Sequence, residues 1–273
     1  MRPIIFMHIA KTAGSYVNQA FEAALGSAQT LLHAETRFGE EGGLNGAFAR
    51  GVRYFSGHIY LGGWQTRLRG FDGDPMFLTT IRPPIDHIAS HLQWLDHYTR
   101  SDQRARYEAL SDGLKRLVDK VGYADFDDAG DLDHLLTNLD PTGMQMLDNC
   151  QSRYFLCGPV GPLMPYDPLT LAHRKALRRA LNTFDLIMRQ DQLELGLRAA
   201  SALTDVALSP PATRVNAAKS PRRIDLNNQT IRGVLAKRSQ VDLWLWRTVL
   251  GEQAFALDAA QEGGARQTQR AAE

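Results

Sequence analysis

An unbroken apolar run at Ile4–Met7, a cluster of polar and small residues over 8–15, and helical spacing at Val17, Ala20 and Phe21 constrain this chain most. A short apolar run without alternation belongs to a strand covered on both faces, and the cluster leaves room only for a tight turn before a helix. Such a turn aims backbone N–H groups and the positive end of a helix at one spot, where Lys11 adds a full charge. The first expectation is therefore an anion site, for a phosphate above all, on the turn after the first strand.

The rest of the chain continues the pattern. Residues 30–34 and 52–56 (VRYFS) predict a second and a third strand, and Met76–Ile81 (MFLTTI) predicts a further one that Pro83-Pro84 ends. Apolar residues at 85, 88, 92 and 95 then form a helical stripe reaching to about Tyr98. Residues 184–188 predict a last strand, with helices at 170–181 and 192–203. Between them, residues 101–147 read as an inserted helical layer, interrupted by an acidic loop at 124–131. Near the C-terminus, Ile231, Val234, Leu235, Val241, Leu245 and Val249 mark one amphipathic helix, with Trp244 and Trp246 as packing anchors. Strand, turn, helix and strand again is the α/β pattern. One domain over 1–260 is expected, with the helical insertion at 101–147 and a flexible tail at 261–273 that lacks apolar residues other than alanine.

Composition limits the partners. The 273 residues carry 31 Lys plus Arg against 30 Asp plus Glu, so a net charge of +1 offers no global attraction to nucleic acid or to an anionic membrane. Any anion site must be local. No apolar stretch approaches the ~20 residues of a membrane helix, and no leader pattern precedes the first strand, so a cytoplasmic protein is expected. Cys150 and Cys157 are too few for a disulfide scaffold or a four-ligand zinc site and read as reduced thiols.

A second constellation joins the first. In TTIRPPIDHIASHL, Arg82 stands at the carboxyl end of a strand and Ser90 stands eight residues later. About two helical turns separate Ser90 from the helix start, which places it on the face looking back to the strand end. An arginine and a hydroxyl there suit a tetrahedral anion at the edge where open α/β sheets place their ligands.

Together, FMHIAKTAGS and TTIRPPIDHIASHL resemble the P-loop sulfotransferases that use 3'-phosphoadenosine 5'-phosphosulfate (PAPS), in the carbohydrate branch of the heparan sulfate 2-O-sulfotransferases and their bacterial relatives. FSGHIYLG, LDNCQSRYFLCG and FDLIMRQDQLELGLRAAS resemble further segments of that family in the same order. Ala10 stands where the family has proline, and Pro83 where it has an acidic residue. The resemblance implies a P-loop-type three-layer fold, a central and mainly parallel sheet flanked by helices, with additional helical segments. It implies PAPS as donor and 3'-phosphoadenosine 5'-phosphate (PAP) as product, without a metal. Lys11 would stabilise the leaving phosphate, with Thr12, Ala13, Gly14, Ser15 and Tyr16 completing the 5' site and Arg82 and Ser90 holding the 3'-phosphate. His58 would be the general base, with His8 close by. Asn149, Gln151 and Arg153 would line the acceptor cleft or the nucleotide side, and Arg214 and Asn216 would close over the nucleotide.

The acceptor implied is a hydroxyl, less readily an amine, of an oligosaccharide, a glycolipid head group or a small metabolite; a homodimer is compatible with the sequence. Two rivals differ in class. An ATP-dependent small-molecule kinase would carry its glycines ahead of the lysine, whereas here Lys11-Thr12 precede Gly14-Ser15. A non-catalytic nucleotide-binding module would not need Lys11 and His58 together.

Overall fold

The computed structural model describes residues 2–39, 42–71, 73–212 and 222–251. Strand β1 (Ile4–Met7) leads through a turn into α1 (Gly14–Leu25), followed by β2 (Thr30–Leu31), α2 (Ala34–Arg37), α3 (Gly43–Ala49), β3 (Tyr54–Gly57), α4 (Leu61–Arg67) and β4 (Met76–Ile81). A helical stretch comes next: α5 (Pro84–His97), α6 (Arg104–Glu108), α7 (Asp112–Tyr123), α8 (Ala129–Thr137), α9 (Pro141–Leu147) and α10 (Cys150–Leu156). Then come α11 (Arg174–Leu181), β5 (Leu186–Arg189), α12 (Leu193–Thr204) and α13 (Gln229–Lys237). A last helix, α14, occupies residues 240–251.

The five strands form one parallel sheet in the order β2-β3-β1-β4-β5. The fold is α/β, as the alternation of strands and helices predicts. β1 is central because it is apolar on both faces: Ile5 and Met7 join one buried cluster, Ile4 and Phe6 another on the opposite face. The first cluster is closed by α3, α4, α10, α11 and α14, the second by α1 and α12. On the second face Phe21 stacks on Tyr54 at 4.3 Å, and the Tyr54 hydroxyl donates to Asn18 Oδ1 at 2.8 Å, which fixes α1 against β3. A third cluster, formed by α5, α7, α8, α9 and α13, is the helical layer predicted for 101–147.

β3 and β5 lie one to two residues later than the expected 52–56 and 184–188, and three further differences from the sequence reading have physical reasons. β2 is confined to Thr30–Leu31, because His33 takes a left-handed backbone (φ 55°) and Ala34 starts α2. The acidic stretch at 124–131 is not all loop: the Asp128 side chain accepts from the Asp131 N–H and caps α8. The C-terminal stripe forms two helices instead of one. Ile231, Val234 and Leu235 pack in the helical layer while Val241, Leu245 and Val249 pack under the sheet, so the chain breaks between two cores. Trp244 and Trp246 pack against the sheet-side cluster, and both cysteines are buried free thiols. Among the described residues no helix is long and apolar enough to cross a membrane. Residues 213–221, which include Arg214 and Asn216, and the tail at 261–273 lie outside the described residues.

Candidate anion and proton-transfer site at the strand ends

The strand order makes the carboxyl ends of β3, β1 and β4 neighbours. Met7 is level with Gly57 on one side and Thr79 on the other, so the residues that follow these strands meet at one edge. The site is built from three segments: residues 8–14 after β1, His58 after β3, and Arg82 after β4.

The turn after β1 is held in an uncommon shape. Lys11 (φ 64°) and Ala13 (φ 68°) both take left-handed backbone, with Thr12 between them. Each such non-glycine residue costs about 1–2 kcal/mol, and alternation of hand turns successive N–H groups toward one side, the concavity that anions occupy. The neighbours that hold this shape are visible. The buried Thr12 hydroxyl donates to the Ile9 carbonyl at 2.8 Å, and His87 Nε2–H of α5 donates to the Ala10 carbonyl at 2.8 Å. Ala10, where proline would be stiffer, is thus pinned from outside the loop. Gly14 opens α1 beneath the His8 ring, and a Cβ there would lie 2.1 Å from His8 Cδ2. No larger residue fits without moving that ring.

The charged groups converge on the same spot. Arg82 Nη1 donates to the Lys11 carbonyl at 3.3 Å, while Arg82 Nε is buried without a hydrogen-bond partner. Burial, and then the Arg82 guanidinium, lower the Lys11 ammonium from 10.5 to about 8. Lys11 also sits over the Trp94 ring, 5.8 Å from its centroid. Among the described residues neither cation has a carboxylate in ion-pair contact, an arrangement that a bound anion would relieve.

His58 stands exposed at the end of β3. Its Nδ1 lies 2.8 Å from the His8 carbonyl, which can only accept, so Nδ1 carries the hydrogen and Nε2 of the neutral ring is basic. Its backbone N–H donates to Glu35 Oε2 at 2.9 Å, and a Cβ on the preceding Gly57 would come within 2.6 Å of that oxygen. The rings of His8 and His58 lie 4.2 Å apart. Protein packed around the His58 ring lowers its pKa, Glu35 and the His8 carbonyl oppose this, and His33 adds to it. His8 is buried and held well below its ordinary value, chiefly by burial, so it stays neutral.

The remaining sequence candidates fall into two groups. Ser15 and Tyr16 lie half-buried in the first turn of α1. Ser90 is half-buried on α5, and among the described residues it makes no hydrogen bond to Arg82; His87, one turn nearer the strand, hydrogen-bonds the loop at the Ala10 carbonyl. Asn149, Gln151 and Arg153 are interior supports with their polar atoms spent within the protein. Asn149 Oδ1 accepts from the Val241 and Asp242 N–H groups and caps α14. Gln151 grips the backbone of Arg82 from both sides, its Oε1 accepting from the Arg82 N–H at 2.8 Å and its Nε2 donating to the Arg82 carbonyl at 3.0 Å. Arg153, fully buried, donates to Asp148, Pro165 and Asp167.

Glu35 and His87 carry no motif of their own. The spacing of His87 and His91 on α5 was the available signal for the latter, whereas Glu35 reaches His58 only through the fold. On another surface, Arg174, Lys175, Arg178 and Trp244 line a concavity of about 460 Å³, which shares no residue with the strand-end site. No protein-family model matches the chain, and no curated protein matches it either.

Proposed function

We propose that this chain transfers a sulfuryl group from PAPS to a hydroxyl of a carbohydrate or small hydroxylated acceptor. The observation that carries the proposal is the convergence of Arg82 with a loop held left-handed at Lys11 and Ala13, beside a histidine whose basic nitrogen is Nε2. The orphaned Arg82 Nε and the glycine cradle under His8 fit a phosphate-bearing ligand at this edge. The resemblance of the loop and of the Arg82 segment to PAPS-dependent sulfotransferases supplies the ligand's identity.

PAPS, when bound, supplies a sulfuryl group on a phosphate that accepts charge as it leaves. The chain's own groups bind, orient and move a proton. Lys11 and the N–H groups of residues 12–15 hold the 5' end, where positive charge lowers the barrier as the leaving oxygen becomes more negative. Arg82 and Ser90 are assigned the 3'-phosphate, and Gln151 keeps the Arg82 backbone from shifting. His58 Nε2 takes the acceptor's proton, and the His8 carbonyl keeps the ring in the tautomer that allows it.

The experiment is a comparison of ligands on the purified chain. PAP should raise the melting temperature more than ATP with magnesium does, and label from radioactive PAPS should pass to a member of a hydroxylated acceptor library. A larger shift with ATP and magnesium would favour phosphoryl transfer instead; PAP binding without transfer to any acceptor class would leave a binding module.

A further inference from the structure

We propose that His87, His91 and Cys150 form a binding site for one divalent cation of the zinc type, behind the anion loop. His87 and His91 lie four residues apart on α5, on the side turned away from the stripe at 85, 88, 92 and 95 that packs in the helical layer. Cys150 opens α10 against them, and one donor atom from each of the three lies within 4.8 Å of the others, all in the interior. A zinc site with bonds of about 2.0–2.3 Å separates its ligands by about 3.3–3.6 Å, so closure needs side-chain shifts on the order of an ångström.

Two observations point to a ligand and not to ordinary packing. Both ring nitrogens of His91 are buried without a hydrogen-bond partner in a residue 1% exposed, a costly state that coordination would relieve at one of the two nitrogens. His87 donates its Nε2–H to the Ala10 carbonyl, the outer bond by which metal-ligating imidazoles are commonly oriented, leaving Nδ1 as its free donor. The set of one thiol and two imidazoles suits zinc or cobalt, and the thiol proton would leave as the metal binds, the thiolate neutralising half of the cation's charge. Three protein ligands leave one tetrahedral position for water. The site is independent of the sulfuryl-transfer reading, whose chemistry needs no metal; the cation would brace the loop through His87 and Ala10.

The test is titration of the full chain, stripped with chelator, with cobalt(II) and with zinc. One equivalent of cobalt should give a thiolate-to-metal charge-transfer band and tetrahedral d–d bands, and zinc should displace it stoichiometrically. X-ray absorption of the zinc form should report one sulfur and two imidazole nitrogens. Cys150→Ser should lose the charge-transfer band while Cys157→Ser, at the other buried thiol, should keep it. A wild-type chain with no such band, a band that survives Cys150→Ser, or a band lost in a folded Cys157→Ser overturns the site. Because buried variants can fail to fold, the wild-type spectrum and sulfur count decide without them.

Discussion

At the scale of single residues, the proposed proton transfer depends on which nitrogen of His58 carries hydrogen. The His8 carbonyl 2.8 Å from Nδ1 assigns it, and the surroundings lower the ring's pKa. The rate should therefore fall only below the ordinary imidazole value of about 6.5, with a slope of one proton. His58→Ala and His58→Asn should lower kcat roughly 10²–10⁴-fold and remove that limb. Glu35→Gln removes a charge that raises the His58 pKa, so its limb should move to lower pH; a pH–rate profile checks all three, and an unchanged limb in His58→Asn would direct attention to another base. Lys11 makes a second prediction. With its ammonium at about 8, PAP affinity should weaken about tenfold per pH unit above that value, since the phosphates stay charged there. Lys11→Met should flatten the dependence in calorimetric titrations. The sign for folding is opposite to the usual lysine gain. A folded value below 10.5 means that the unfolded chain binds more protons between about 8 and 10.5, so stability rises with pH across that window. The penalty is present at pH 7, and Lys11→Met should raise the unfolding free energy there by up to about 3 kcal/mol while costing binding.

At the scale of elements, the site depends on α5 and α10, which lie far from β1 in sequence. α5 presents its stripe at 85, 88, 92 and 95 to the helical layer and His87 to the loop. α10 presents Gln151 to the Arg82 backbone and is itself capped by Asp242, whose carboxylate accepts from the N–H groups of Gln151 and Ser152 and is raised by burial to about 6. Arg82→Ala should weaken PAP more than adenosine 5'-phosphosulfate, which lacks the 3'-phosphate, by one charge-assisted bond of about 1.5–3 kcal/mol. Gln151→Ala leaves both backbone groups of Arg82 without their partner. It should lower stability by about 1–3 kcal/mol and weaken PAP in the same selective manner, to a smaller degree. Equal losses for both ligands in calorimetry would remove the 3'-phosphate from Arg82.

At the scale of the molecule, three buried clusters must hold one another in register. The helical layer is tied near the far end of α5 by Arg222, whose guanidinium bonds the buried Asp96 carboxylate and the carbonyls of Val121 and Ala124. Arg222 follows directly on residues 213–221. Asp96→Asn should cost about 2 kcal/mol, reduced from the value of a fully buried pair because the arginine is partly exposed. The loss should appear as a lower denaturation midpoint with PAP affinity nearly unchanged at temperatures where the chain is folded, because the bond lies at the end of α5 remote from His87. A parallel loss of affinity would show that the helical layer positions the loop.

Local signals alone marked the strands and most helices, and the polar and charged residues that stand at their ends. The apolar runs marked five strands, Ile4–Met7 and Met76–Ile81 to the residue, and His58 and Arg82 follow their strands directly while Lys11 stands in the turn after the first. Periodicity reports which face of an element is buried, but not what buries it. That is why the C-terminal stripe predicts one helix where two face different cores, and why no local signal reports the internal partners of Asn149, Gln151 and Arg153, which the resemblance assigns to the acceptor cleft or the nucleotide side. The order β2-β3-β1-β4-β5, which brings three loops to one edge, and the bonds of Gln151 to Arg82 and His87 to Ala10, 69 and 77 residues apart, came only from the tertiary structure. Such pairs form because burying each polar group demands a partner, and which partner arrives is decided by the packing of whole elements, not by neighbours along the chain.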